Sequence, residues 1–207
     1  MTTLPASVPA SPPPRNLTPL DSRGGGVLIW LRFTLVILVL GGLAYPLAGA
    51  LLGSALFPWQ AQGSLITWRG HVVGSRLVGQ AFTGNGYFVG RPSAVAYDPR
   101  NMGGSNYAVS NPALRQRAQG DAAAIAKREG VAQSAIPNDL IAASGSGVDP
   151  HVSPAAANLQ APRVARARGL NLARVQALVA AATESGPLGL GQPGVNVLRL
   201  NLALDRQ

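Results

Sequence analysis

An uninterrupted apolar run from Phe33 to Phe57 constrains this chain more than any other feature of its sequence, because it contains no charged side chain. As an α-helix, roughly 25 residues at about 1.5 Å each cover about 37 Å. That length is enough to cross a hydrocarbon core of about 30 Å with some tilt. The sequence therefore predicts one transmembrane helix over residues 27–57, and nothing later in the chain repeats the pattern.

The segment before this run is basic and poor in apolar residues. Arg15, Arg23 and Arg32 lie in or next to it, and Asp21 is its only acid. Residues 1–26 are rich in Pro, Ser, Thr and Gly, a composition that favours disorder. Because Lys and Arg near a span favour the cytoplasmic face, the pattern predicts a disordered cytoplasmic leader and places residues 58–207 outside. A cleaved signal peptide fits less well, since the apolar run is about twice as long as the usual apolar region of a signal peptide.

Composition bounds the function of residues 58–207, which are long enough for one domain with its own core. The chain has no cysteine, which excludes disulfides, thiolate metal sites and cysteine nucleophiles. The net charge of +9 could suit nucleic acid, but the arginines do not alternate with aromatic residues that could stack on bases. We interpret the densest cluster, Arg163, Arg166 and Arg168, as a solvated helix face, and we expect no nucleic-acid partner.

Turn and cap residues divide the domain into a hairpin, a long loop and several helices. Two short apolar stretches flank Gly70, a pattern that predicts a β-hairpin with this glycine in its turn. Loop formers dominate residues 82–107, and a loop of that length is usually functional. Helix starts are predicted at Asn111-Pro112, Ile136-Pro137, Ser153-Pro154 and Asn171.

The C-terminal segment alternates apolar and other residues, with leucine at positions 198, 200, 202 and 204. This period of two predicts a half-buried strand that pairs with the first hairpin. The expected fold class is therefore α+β: one N-terminal transmembrane helix, followed by a single mixed helix/sheet extracytoplasmic domain.

One short segment brings together residue types used in hydrolysis: Ser144, Ser146, Asp149 and His151. A membrane-anchored serine hydrolase is the alternative function on this basis. However, the segment lacks a Gly-x-Ser-x-Gly elbow, and neither histidine of the chain has metal-ligand spacing to a carboxylate. We interpret Asp149 and His151 as hydrogen-bonding to backbone in a tight loop. No catalytic or metal-binding residue is expected.

Small residues recur along the apolar run at Gly42, Pro46, Gly49 and Gly53. The spacing of i, i+4, i+7 and i+11 puts them on one face of an α-helix. Gly49 and Gly53 form a small-xxx-small step, which allows a second helix to approach closely. We therefore expect Gly42, Gly49 and Gly53 to contact a partner within the membrane.

An ordered set of motifs resembles the C subunit, the KdpC family, of the Kdp potassium-transporting P-type ATPase. The longest is Ile136-Pro-Asn-Asp-Leu-Ile-Ala-Ala-Ser-Gly-Ser-Gly-Val-Asp-Pro-His-Val-Ser-Pro154. The others include Tyr87-Phe-Val-Gly-Arg-Pro-Ser93, Gly103-Gly-Ser-Asn106 and Val195-Asn-Val-Leu-Arg-Leu-Asn-Leu-Ala-Leu-Asp205. The resemblance covers the chain from the apolar run to its end.

The resemblance implies a non-catalytic accessory subunit of a high-affinity potassium uptake pump in the bacterial inner membrane. Its implied partners are a channel-like, potassium-selecting A subunit, a P-type ATPase B subunit, membrane lipid and, as a further candidate, a small single-span subunit. The family is described as needed for assembly and as raising the ATP affinity of the catalytic subunit. ATP would then be bound by the catalytic subunit, and this chain is expected to bind no cofactor of its own. Because an outward domain cannot meet cytoplasmic ATP, assembly is the first expectation, and a regulator that faces the cytoplasm and binds ATP is a third possibility.

Within the signature loops, four residues are expected to contact a partner: Arg91, Asn106, Asp149 and His151. None lies on an amphipathic helix face. Charged or polar groups held in irregular loops usually satisfy backbone groups or meet a partner, because an unpaired charge at an interface is unfavourable.

Overall fold

The computed structural model describes residues 25–186 and 189–207. Positions 1–24 of the predicted leader therefore lie outside the described residues. The chain divides into two compact units between Leu52 and Gly53. A helix begins at Gly25 and ends at Leu56, as α1 (Gly25–Ile37), a π-helical segment (Leu38–Ala44) and α2 (Tyr45–Leu56). Among the described residues, it is the one helix long and apolar enough to cross a membrane.

The π-helical segment lies directly before a proline. Pro46 has no N–H, so it cannot donate to the carbonyl of Gly42 four residues earlier. The N–H of Tyr45 donates instead to the carbonyl of Leu40, five residues earlier. A wider turn ahead of proline is a recognised way for a helix to absorb this lost hydrogen bond.

The predicted hairpin is confirmed. A short helix, α3 (Pro58–Ala61), leads into the antiparallel pair β1 (Leu65–Trp68) and β2 (His71–Ser75). Arg69 and Gly70 form the turn with φ of 50° and 83°. Both values lie in the left-handed region that tight hairpin turns require. Residues 76–111 then form no helix or strand apart from an isolated bridge between Ser75 and Val78, as the loop formers predict.

Four helix starts follow in the predicted order, and side chains cap three of them. The side-chain oxygens of Asn111, Ser153 and Asn171 each accept a hydrogen bond from a backbone N–H in the first helical turn. Gly130 and Gly169 end two helices in left-handed conformations. The elements are α4 (Pro112–Glu129), a 3₁₀ turn (Gln133–Ala135), the single-turn α5 (Asn138–Ile141), α6 (Pro154–Arg168) and α7 (Leu172–Ala181).

The strand predicted at the C-terminus is wrong, because this segment forms helix α8 (Val197–Leu204). Asn196 accepts a hydrogen bond from the N–H of Arg199 and so begins the helix. The leucines at 198, 200, 202 and 204 are all buried, since neighbouring elements cover most of the helix circumference. A helix buried nearly all round can carry apolar residues at any spacing, and here the spacing imitates a strand.

The predicted pairing of the C-terminal segment with the hairpin is also wrong. A separate three-stranded antiparallel sheet has the order β3 (His151–Val152), β5 (Gly194–Asn196), β4 (Thr183–Glu184). The hydrophobic core lies between this sheet, α4, α6, α7 and α8. Alanines on α6 let the helices approach closely, and Phe88 enters the core from the irregular segment. Fully buried core residues include Phe88, Ala156, Ala157, Ala161, Val164, Val175, Val195 and Leu200.

The arginine cluster on α6 is not a solvated face. The side chain of Arg163 is only 6 % exposed, and its Nε lies 3.0 Å from both carboxylate oxygens of Glu129. Arg168 forms an ion pair with Asp205 at 2.8 Å. Only Arg166 is exposed. Spacing on one helix could not reveal these partners, because the carboxylates belong to α4 and to the chain end.

Candidate partner interface

Two buried amide side chains hold the irregular segment in place. The side chain of Asn201 accepts from the N–H of Phe88 and donates to its carbonyl, both at 2.9 Å. The side chain of Gln160 does the same for Val89, at 2.9 and 3.2 Å. Each amide thus satisfies both backbone groups of one residue, as a neighbouring strand would. The backbone that leads to Arg91 is fixed in this way.

Arg91 and Asp149, which sequence reasoning selected separately, bind one another. The Arg91 Nη1 lies 3.0 Å from the Asp149 Oδ2, and each side chain is 27 % exposed. The Nη2 of Arg91 reaches the carbonyl of Ala142 at 3.4 Å. The second carboxylate oxygen of Asp149 accepts from the backbone N–H of His151 at 2.9 Å. This pair joins two loops whose residues lie 58 positions apart.

Hydrogen bonds to backbone carbonyls join the same loops into one surface, which we call the loop platform (residues 90–93, 103–104 and 144–149). The Ser93 hydroxyl donates to the carbonyl of Gly147 at 2.6 Å. The N–H of Ser144 donates to the carbonyl of Pro92 at 2.9 Å, and the N–H of Gly103 to that of Ser146 at 2.8 Å. Gly147 has φ of 72°, and a Cβ there would lie 2.6 Å from the Gly103 carbonyl oxygen. The platform therefore requires glycine at position 147 for both conformation and space.

Strained backbone residues flank the loop platform. Tyr97 has φ of 60°, and its hydroxyl donates to the carbonyl of Arg91. Burial, together with the negative charge of Asp149, raises the pKa of the Tyr97 phenol. Asn106 has φ of 51°, a conformation that asparagine tolerates better than most residues, and it is exposed.

A stretch of exposed apolar side chains surrounds Asn106, and we call it the loop tip (residues 102–109). The side chain of Val109 is 92 % exposed, and Met102 and Tyr107 are also exposed. The loop tip shares Gly103 with the loop platform, where the N–H of Gly103 donates to the carbonyl of Ser146. An apolar surface is thus presented on a fixed base.

The imidazole of His151 lies between two carboxylates. Its Nε2 is 3.5 Å from the Glu184 Oε2, and its Nδ1 is 3.9 Å from the Asp149 Oδ1. Glu184 also accepts hydrogen bonds from Arg76 and Arg199. Burial alone would raise the pKa of Glu184, but the two arginines and His151 outweigh it and lower that pKa to about 2.

Sequence reasoning missed Glu184, although composition contained a signal. The chain has only 8 acidic residues against 17 basic ones. With arginine in such excess, each carboxylate is expected to hold at least one basic partner. Of the described acids, Asp98, Asp121, Glu129, Asp149, Glu184 and Asp205 do so.

The geometry does not support the serine hydrolase alternative. The Ser144 hydroxyl accepts from the N–H of Gly147, and the Ser146 hydroxyl accepts from the N–H of Val148. The two hydroxyl oxygens lie 3.1 Å apart, and within the described residues neither is hydrogen-bonded to His151. Asp149 lies beside the histidine ring, but its Oδ1 is 3.9 Å from the His151 Nδ1, beyond hydrogen-bond distance, and its Oδ2 is held by Arg91.

The three glycines of the apolar helix that were expected to contact a partner are open to their surroundings. A Cβ built on Gly42, Gly49 or Gly53 meets no other atom within 4 Å. Gly49 and Gly53 both lie in α2, one turn apart. Gly42 lies in the π-helical segment. Because a π-helical turn contains more residues than an α-helical turn, Gly42 does not lie on the same helix face as Gly49 and Gly53. The small-residue step that remains on one face is therefore Gly49-x-x-x-Gly53.

Among the described residues, one apolar helix long enough to cross a membrane precedes a mixed helix/sheet domain with the loop platform and the exposed loop tip, features typical of an accessory subunit of a membrane complex. Comparison with known proteins gives the family. The family described as "K+-transporting ATPase, c chain" matches residues 27–206. The chain therefore belongs to the KdpC family, as its motifs predict.

Individual relatives agree with the family assignment. The chain is 53 % identical over 191 residues to the potassium-transporting ATPase KdpC subunit of Xanthomonas oryzae pv. oryzae, covering 91 % of this chain and 90 % of that protein. It is 51 % identical over 183 residues to the protein of the same name from Xanthomonas campestris pv. campestris, covering 88 % of each. The corresponding protein of Caldanaerobacter subterraneus is 49 % identical over 176 residues, covering 84 % of this chain and 91 % of that protein.

Proposed function

We propose that this chain is a non-catalytic accessory subunit of a potassium-transporting ATPase, and that its main task is assembly and stability of the complex. Helix Gly26–Leu56 anchors it in the membrane, and the loop tip docks on a partner subunit. Family membership supports the complex, and relatives of about half-identical sequence carry the name of its C subunit.

The proposed topology follows from charge. Arg15 and Arg23 precede the helix and Arg32 lies near its N-terminal end, so the leader faces the cytoplasm and residues 58–207 face outward in the bacterial inner membrane. The potassium-selecting A subunit is then the first docking partner of the domain. The P-type ATPase B subunit and a small single-span subunit are partners within the membrane, and ATP is bound by the B subunit.

The observation that carries the proposal is the Arg91–Asp149 ion pair in the loop platform, to which the exposed loop tip is joined by the Gly103–Ser146 hydrogen bond. Docking a mobile loop would lose conformational entropy, whereas a loop that is already ordered loses less. Methionine and tyrosine are enriched in protein interfaces, and the loop tip exposes one of each. The platform thus prepares a surface for a partner, and Arg91, Asn106, Asp149 and His151 belong to it or flank it.

A pull-down through a tag on this chain tests the docking surface. Tyr107→Ser with Val109→Ser should lower the amount of partner subunits recovered per tagged chain, because it removes the apolar tip without touching the platform. Leu77→Ser is the matched control, since Leu77 is 60 % exposed but lies outside the loop tip. Equal recovery from both variants would place the docking surface elsewhere.

A single introduced cysteine tests the topology, because the chain has none of its own. Asn158 is exposed on α6. Asn158→Cys should react with an impermeant thiol reagent in intact cells. Reaction only after permeabilisation would reverse the orientation and bring the domain within reach of cytoplasmic ATP.

The helix face is tested by Gly49→Leu with Gly53→Leu. Two isobutyl groups would prevent close approach of another helix, so recovery of partner subunits should fall. Leu47→Ile with Leu51→Ile, on the same helix, serves as the control because apolar bulk is unchanged. Full recovery from the glycine variant would mean that this face contacts lipid.

A further inference from the structure

We propose that the pocket between the hairpin, α7 and α8 binds the phosphate headgroup of an anionic phospholipid. The pocket has a volume of about 510 Å³. Ile66, Leu178 and Leu202 contribute to its apolar wall, and its polar lining includes Trp59, Arg76, Arg199 and Arg206. This site is separate from the loop tip, and it rests on the proposed membrane span.

The three arginines come from different parts of the chain and meet at one pocket. Arg76 follows β2, Arg199 lies on α8, and Arg206 follows α8. Guanidinium groups match phosphate oxygens in geometry as well as in charge. Glu184 accepts from both Arg76 and Arg199 and thereby fixes their position. One carboxylate among three guanidiniums leaves the pocket positive.

Arg206 is the most available of the three. Its guanidinium lies 4.7 Å from the centre of the Trp68 ring, and among the described residues it makes no ion pair or hydrogen bond. Arg69 lies over the same ring at 5.6 Å. A cation held against an aromatic ring keeps its N–H groups free for an anion.

Chain connectivity favours a lipid over other anions. Trp59 lines the pocket only three residues after Leu56, where the apolar helix ends. Three residues extend at most about 10 Å, which keeps the start of the pocket close to the headgroup layer of the membrane that the helix crosses. Tryptophan is enriched at that layer. The apolar wall would receive the glycerol and first methylene groups, and the arginines would receive the phosphate.

The test uses the full chain in nanodiscs with phosphatidylglycerol that carries a photoreactive diazirine near its headgroup. Labelled peptides are compared with those from a phosphatidylcholine probe of the same design. We expect the phosphatidylglycerol probe to label segments 58–68 and 199–206 preferentially. Arg206→Gln should lower this labelling by about fivefold, the effect of one arginine near an anionic lipid surface. Arg100→Gln, at an exposed side chain outside the pocket, should leave it unchanged.

Three results would overturn the proposal. Equal labelling by the two lipids, or unchanged labelling in Arg206→Gln, would mean that the pocket does not select an anionic headgroup. Loss of the label when inorganic phosphate is added at the lipid's own concentration would identify a site for the free anion. If the assembled complex instead places an acidic segment of a partner in the pocket, Arg206→Gln will lower partner recovery, whereas a lipid site leaves recovery unchanged.

Discussion

Two arginine–carboxylate pairs show how differently the same chemistry is used in this domain. Arg163 and Glu129 lie in the core, with side chains 6 % and 0 % exposed, and join α6 to α4. Arg91 and Asp149 lie between two irregular loops, and each is 27 % exposed. The first pair is enclosed by the fold, whereas the second shapes a surface. Burial therefore separates a pair that joins two core helices from a pair that we propose to support docking.

The surroundings of Arg163 explain its place in the core. Besides Glu129, it donates to the carbonyls of Asn85 and Tyr87 and to the side chain of Gln160. Burial lowers the pKa of Arg163, and Glu129 opposes that shift. Every donor that faces the core thus has an acceptor, which is the condition under which a buried charge is tolerated.

The largest effect is expected at this core pair. Glu129→Ala leaves the guanidinium of Arg163 buried without its carboxylate, so the free energy of unfolding should fall by about 3–5 kcal/mol. Denaturant unfolding of the full chain in detergent measures the change. Glu129→Leu combined with Arg163→Met removes both charges and should recover most of that loss. No recovery would mean that the arginine's hydrogen bonds to the irregular segment matter more than the ion pair.

The next effect concerns Glu184 and depends on pH. Its pKa is lowered from 4.5 to about 2 in the folded chain. The stabilisation of the folded state by the ionised carboxylate is therefore fully present above about pH 4.5 and is lost as pH falls through about 2. The difference in unfolding free energy between the wild type and Glu184→Gln should shrink from pH 7 to pH 2, by about 1–2 kcal/mol once solvent screening of the exposed arginines is included. Unfolding measured across this range checks it, and a difference independent of pH would contradict the ion-pair assignment.

A loss of stability smaller than that at the core pair is expected at the loop pair. Arg91→Ala should lower the free energy of unfolding by about 1–2 kcal/mol, between the values for buried and exposed pairs. Asp149→Ala should behave alike, because it removes the same contact and also the acceptor for the His151 N–H. Thermal unfolding of both variants tests this. A loss as large as that of Glu129→Ala would mean that the loop platform is part of the folding core.

The smallest effect is expected for Arg100→Ala. Its side chain is 90 % exposed, and its partner Asp98 is only two residues away. Hydrogen bonds from the Arg100 backbone and side chain lower the pKa of Asp98, and the backbone contact is kept in the variant. The melting temperature should therefore match that of the wild type. A clear decrease in melting temperature would show that this exposed ion pair also stabilises the fold, and that exposure does not separate weak pairs from strong ones in this domain.

Local chemistry made much of the fold predictable. Asn111, Ser153 and Asn171 cap helices because their side chains reach the first free N–H groups, a property of each residue and its near neighbours. The C-terminal helix was not predictable from its pattern, because burial on nearly every side removes the period that distinguishes a helix from a strand. Asn196 carried the same capping signal as the others, and the alternating leucines obscured it.

The ion pair between Arg91 and Asp149 was not predictable from the sequence, although both residues were selected as candidates. Arg91 and Asp149 stand out because both are charged residues in irregular segments. Their pairing depends on the way Gln160 and Asn201 position the intervening backbone, and those amides are distant in sequence. Arg163 was misread for the same reason, since its carboxylate is 34 residues away.

The most direct test of the account measures partner subunits recovered per tagged chain for Arg91→Ala, with Arg100→Ala as control, and ATP turnover per recovered complex. If the Arg91–Asp149 pair prepares a docking surface, recovery should fall severalfold in Arg91→Ala and stay normal in the control. Turnover of the complexes that do form should remain near that of the wild type. Full recovery with reduced turnover or nucleotide affinity would contradict the account and assign the loop platform to the catalytic cycle.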